Sequence, residues 1–163
     1  MTVTQDKPEA GVEKRPWLAL VALLLGVSLI VLEGSIVNVL IPTIVQDLQI
    51  DRTSVLWVTS IYSLVFAALL ITFGVLADRI GRKRMFMIGT AIFIVFNVVA
   101  GLAQDGDMLI LARAGEAVGG AMMLPTSMAI INVNFRGPMR AAAFGLWGAV
   151  FGGMAAFGPL LGG

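Results

Sequence analysis

Five stretches of this chain are long enough to cross a bilayer and hold almost no charge, which leaves few folds open. Trp17 to Gln46 carries one charged residue, Glu33, and Thr53 to Ala77 carries none. Met85 to Gln104 is also uncharged, Met108 to Phe135 carries Arg113 and Glu116, and Ala141 to Gly163 carries none. About 20 residues at roughly 1.5 Å each span the ~30 Å hydrocarbon layer. An open segment can do this only as a helix, because lipid offers no partner to backbone N–H and C=O groups. With 58% hydrophobic and 13% charged residues, the chain falls well below the ~25% charged share of soluble domains. The first stretch is too long for a signal peptide, and no small-residue cleavage site follows a short apolar core.

These runs predict an all-α membrane protein: a tail over 1–16, then a transmembrane domain over 17–163. The helices are expected near 17–45, 53–77, 85–104, 108–134 and 141–162. Basic residues alternate between the connections. The tail holds Lys7, Lys14 and Arg15, and the first connection only Arg52. The second holds Arg79, Arg82, Lys83 and Arg84, the third none, and the fourth Arg136 and Arg140. Cations favour the cytoplasmic side, so the amino terminus is expected in the cytoplasm and Gly163 outside. Trp17 and Trp57 fall where an aromatic belt would place them. Asp47 to Arg52 and Asp105 to Asp107 read as tight external turns, and Asp78 to Arg84 and Arg136 to Arg140 as internal ones. Such short turns make neighbouring helices antiparallel.

The sequence lacks cysteine and histidine, which excludes disulfides, His or Cys metal sites and His-dependent nucleophilic catalysis. No catalytic residue, metal site or cofactor is expected. A net charge of +1 with no basic stripe gives no footprint for nucleic acid. The expected partners are the lipid bilayer and a small-molecule substrate.

Glycine steps at Gly115/Gly119 and Gly148/Gly152 would let helices approach closely. Gly145, Gly153, Gly158, Gly162 and Gly163 also crowd the last span, where Pro159 removes a backbone donor and is expected to bend it.

The segment Gly74-Val-Leu-Ala-Asp78-Arg79-Ile-Gly81-Arg82-Lys83-Arg84 resembles the cytoplasmic loop signature of the major facilitator superfamily. Asp78 is read as ending a helix, Arg79 as a cation near its negative C-terminal end, and Gly81 as permitting the reversal. Three further segments resemble the drug:proton antiporters of that superfamily, fourteen-helix type. Leu32 to Pro42, including Asn38, resembles their first-helix pattern, with Glu33 for Asp and Ser35 for Thr. Arg113 to Gly119 resembles the fourth-helix pattern, with Glu116 for Gln and Ala117 for Gly. Gly145 to Gly158-Pro159-Leu-Leu-Gly162-Gly163 resembles the fifth-helix antiporter pattern, with Met154 at its middle glycine. The resemblance implies efflux driven by a proton gradient across the plasma or inner membrane, and a role for Arg113 in proton transfer. It also implies that five helices are an incomplete six-helix half, with a second half or a downstream partner chain to be supplied.

Glu33, Arg113 and Glu116 are the candidate coupling residues. A central charge costs roughly 2.5–3.5 kcal/mol on insertion scales, so such groups face a bundle interior or a water cavity. Arg113 and Glu116 share a helix face and can pair locally. With Gly120, Met123 and Ser127 they form a stripe expected to line a cavity. Glu33 has no local partner: it is read either as a site for a proton or a cationic substrate, or as a carboxyl near the outer water boundary or paired with an absent helix. Two functions remain open. One is a proton-coupled exporter of small amphipathic compounds. The other is a truncated or split product, inert alone or acting by associating with other membrane proteins. An intramembrane enzyme has little support, because no paired Asp constellation lies within the spans.

Overall fold

A computed structural model describes residues 14–162. The expectations for residues 1–13, Lys7 among them, and for Gly163 lie outside the described residues, as do the side-chain surroundings of Gly158, Pro159 and Gly162. The helices are α1 (Lys14–Leu48), α2 (Arg52–Ile80), α3 (Arg82–Gly101), α4 (Gly106–Asn134) and α5 (Gly137–Gly162). All five are long and apolar enough to cross a membrane. Large apolar side chains such as Leu18, Ile71 and Leu111 point outward, as lipid permits and water would not.

The connections are shorter than the runs of charge suggested. Asp51 caps α2 by accepting from the Ser54 amide at 3.0 Å. The Ser54 hydroxyl and amide hold its carboxyl below the ordinary carboxylate range. Asp105 caps α4 in the same way, accepting from the Met108 amide at 2.7 Å. Gly81 alone separates α2 from α3, with φ +104° and ψ 124°. Side chains rarely adopt that backbone, so Gly81→Ala is expected to lose about 1–3 kcal/mol of stability, read as a lower melting temperature in detergent. An unchanged melting temperature would show that the turn relaxes.

Asp78 does not end its helix, because α2 continues through Ile80. Its Oδ1 instead accepts from Arg82 Nε at 2.9 Å and Nη2 at 2.8 Å. Arg82 Nη1 also donates to the Ala129 carbonyl at 3.3 Å, tying the turn to α4.

α4 is the hub. It packs most extensively on α3 and α2, while α1 pairs mainly with α5. The glycine step explains the α3–α4 contact. A Cβ on Gly119 would lie 2.7 Å from the Gly89 carbonyl oxygen and 2.7 Å from the Phe93 nitrogen, so the two backbones touch. Leu20 and Leu23 of α1, Phe86 and Phe93 of α3, and Met123 and Ile131 of α4 fill the core. Trp147 Nε1 of α5 donates to Ser127 Oγ at 3.2 Å, fastening α5 to the hub.

Candidate functional site

Both ends of the bundle carry a distinct charge. The α1–α2 and α3–α4 turns hold Asp47, Asp51, Asp105 and Asp107 against Arg52. The opposite end holds Arg79, Arg82, Lys83, Arg84, Arg136 and Arg140 against Asp78. Between these ends the helices bury one ionic cluster.

Arg113 stands two turns into α4, with its side chain 5% exposed. Its Nη1 donates to Glu116 Oε2 at 2.8 Å, one turn along the same helix. The same nitrogen donates to Oε1 of Glu33, which α1 brings in from 80 positions earlier in the chain. Glu33 thus has a partner, one that no local spacing could supply. The guanidinium carbon also lies 4.6 Å from the Tyr62 ring centroid on α2, and that ring stacks on Phe66 at 5.8 Å. Gly120 leaves the room that the Tyr62 hydroxyl occupies, since a Cβ there would come within 2.8 Å of it. The cluster is under-satisfied: Glu33 Oε2, Arg113 Nε and the Tyr62 hydroxyl are buried without a protein partner. Two carboxylates share one guanidinium, so the fully ionised cluster carries one net negative charge.

Arg113 borders two cavities. One, of about 440 Å3, lies among α1, α2, α4 and α5, and its wall includes Ser35, Asn38, Thr59, Tyr62, Phe66 and Phe151. Three of its polar side chains bond back to their own helices. Asn38 donates to the Gly34 carbonyl at 2.8 Å, Ser35 to Val31 at 2.9 Å and Thr59 to Leu56 at 3.0 Å. The wall is therefore largely aromatic and aliphatic, with the buried Arg113 at one edge, the usual chemistry of a small-molecule pocket. The second cavity, of about 420 Å3, lies among α1, α3 and α4, and Glu33 and Glu116 line it together with Arg113.

The expected cavity stripe on α4 holds only in its first two members. Met123 sits inside the core with Leu20 and Phe86, and Ser127 is fully buried against Trp147. Packing by α1, α3 and α5 closes over that part of the helix. The remaining motif residues lie away from the cluster. Gly74 faces α4, where a Cβ would approach Pro125 at 3.8 Å. Arg79 and Lys83 are exposed at the basic end, and Pro42 is exposed within α1. Gly145, Gly148, Gly152 and Gly153 have open space where a Cβ would stand. Among the described residues, no three side chains able to hold a metal come together.

Residues 23–163 match the Major Facilitator Superfamily. The chain belongs to that superfamily. It is similar to the puromycin resistance protein pur8 of Streptomyces alboniger, with 42% identity over 94% of this chain and 31% of the relative. It is similar to the multidrug efflux pump LfrA of Mycolicibacterium smegmatis, with 38% identity over 91% of this chain and 30% of the relative. The tetracenomycin C resistance and export protein of Streptomyces glaucescens shares 35% identity over 96% of this chain and 29% of its own length. This member of the superfamily thus spans about three-tenths of the length of these curated relatives. Two polar side chains at its site went unnoticed in the sequence: Tyr62, the one tyrosine present, and Asn97. Both interrupt uncharged spans, where a polar group needs a reason.

Proposed function

We propose that this chain forms part of a proton-coupled exporter of small amphipathic compounds in the cell membrane, with its basic end in the cytoplasm. The observation that carries the reading is the buried Glu33–Arg113–Glu116 cluster on the wall of an aromatic-lined cavity. One unit of negative charge left in low dielectric must be offset, by a proton or by a cationic group. A proton on either carboxyl neutralises the cluster and loosens its hold on Arg113. The guanidinium, which already lies over the Tyr62 ring, is then freer to move, and the shape and charge of the adjoining cavity change with it. Proton occupancy and substrate occupancy are thereby linked through one side chain. The alternation of cations between the two ends supports the orientation. The names of the relatives, which speak of puromycin resistance, multidrug efflux, and tetracenomycin C resistance and export, support export of varied small molecules.

Glu33→Gln keeps the shape and removes the exchangeable proton. In a transport-competent assembly containing this chain, dye efflux is expected to lose its dependence on outside pH. An unchanged pH profile and substrate range would remove Glu33 from the coupling step.

A second reading is favoured by the length of the match. We propose that transport needs further helices beyond these five, because the relatives are about three times as long. Proton-dependent efflux by this chain alone in proteoliposomes would overturn that reading.

A further inference from the structure

The second cavity has a polar floor, an acidic mouth and no contact with Tyr62, and substrate binding in the aromatic cavity leaves it without a task. It begins beside Asp47 and Leu48 at the end of α1 and beside Gly101 and Ala103 at the end of α3. It ends at Glu33, Glu116 and Arg113. Asp47 lies four turns beyond Glu33, about 21 Å along the helix at ~1.5 Å per residue.

Two residues that line this crevice each bury an atom with no protein partner, Glu33 Oε2 and Asn97 Nδ2, and both residues also border a cavity of about 390 Å3 between α1 and α3. The Glu33 side chain is only 9% exposed. Polar groups at this depth are stable only where protein or water meets them, and irregular or polar features at membrane depth line water-filled cavities. The groups facing the crevice are Glu33 and Asp47 from α1, Arg113 and Glu116 from α4, and the uncharged Asn97 from α3. Carboxylates therefore outnumber the single guanidinium, and they stand at both ends of the path. Walls of low dielectric focus such a field and raise the local concentration of cations.

We propose that this crevice is a cation-selective aqueous path from the acidic end of the bundle to Glu33 and Glu116, separate from the aromatic cavity. Arg113, packed over Tyr62, is the partition between the two. On the transporter reading, protons enter by the crevice and substrate occupies the other side. The path itself rests on the geometry, and its test does not require transport.

The absence of cysteine makes single-thiol labelling clean. Leu40→Cys and Ala100→Cys each place a thiol on the crevice wall, and the second is nearly isosteric, so folding is preserved. Gln49→Cys and Lys83→Cys mark the two faces of the membrane, and Ile71→Cys, 78% exposed to lipid, is the control. The probes are membrane-impermeant methanethiosulfonates carrying either a trimethylammonium or a sulfonate group, applied to oriented vesicles. Leu40→Cys and Ala100→Cys are expected to react from the Gln49 face only. The cationic probe should be favoured by about tenfold after correction for reactivity with a free thiol. Adding Asp47→Asn should reduce that preference several-fold. The proposal fails if both crevice thiols are inert while Gln49→Cys reacts, if they react from the Lys83 face, or if the sulfonate reacts as fast as the cation. Any of these results leaves the pH test on Glu33 untouched, so the access path and the coupling reading can fail separately.

Discussion

Arg113→Leu is expected to destabilise the folded bundle by about 3–5 kcal/mol, because it strands two buried carboxylates that share one cation. Both Glu33 and Glu116 depend on Nη1 of this residue. With the guanidinium gone, both carboxylates lose their cation in a low-dielectric interior, and water reaching one edge through the crevice replaces only part of it. The expected readouts are poor accumulation in the membrane and a markedly lower melting temperature in detergent. The same physics predicts rescue. The triple variant Glu33→Leu, Glu116→Leu, Arg113→Leu removes every charge together, and a buried ionic group replaced whole by apolar side chains is often neutral or stabilising. Stability should return in the triple variant. On the coupling reading, any proton dependence of transport should be absent. Arg113→Lys should fall between, since an ammonium keeps the charge but loses the flat face that lies over Tyr62. A single Arg113→Leu variant as stable as the parent would mean that the carboxyls are neutral in the folded state and the cluster is not ionic.

How much of this was legible in the sequence depends on whether the information is local. The spans could be read because lipid punishes charge residue by residue, so Thr53 to Ala77 declares itself without reference to any other segment. The superfamily could be read because Gly74, Asp78 and Gly81 are local too, and the positive φ of Gly81 shows why a glycine stands there. The partner of Glu33 could not be read. It comes from a helix 80 positions away, and nothing near Glu33 encodes that distance. The α4 stripe misled for a related reason. Helical spacing puts Arg113 and Ser127 on one face, but only the neighbouring helices determine where that face is open and where it is covered. Asp78 was misplaced at a helix end because an acidic residue before a basic run looks like a boundary. Instead α2 runs on to Ile80, and Asp78 bridges the glycine to Arg82 at the start of α3.

The two glycine steps make the same point with a larger expected effect. Gly115/Gly119 and Gly148/Gly152 are identical as patterns, yet their surroundings differ completely. The three nearest neighbours of a Cβ on Gly119 are all backbone: the Gly89 oxygen and Phe93 nitrogen at 2.7 Å, and the Phe93 Cα at 2.9 Å. No rotamer change can relieve those contacts, so α3 and α4 must separate. A Cβ on Gly115 meets the Phe96 ring at 2.3 Å, and a ring can swing aside at some loss of packing. A Cβ on Gly148 meets nothing within 4 Å. Gly119→Leu is therefore expected to exceed the usual 1–3 kcal/mol penalty for overpacking and to prevent stable folding. Gly115→Ala should be clearly destabilising, and Gly148→Leu should leave the melting temperature of this chain within a degree or two of the parent. In lipid no hydrophobic force holds helices together, so close approach itself is the attraction, and a single methyl between α3 and α4 removes it along the whole crossing. Equal effects at Gly119 and Gly148 would show that α3 and α4 do not meet at this crossing. The wall they give to the acidic crevice would then have to be redrawn.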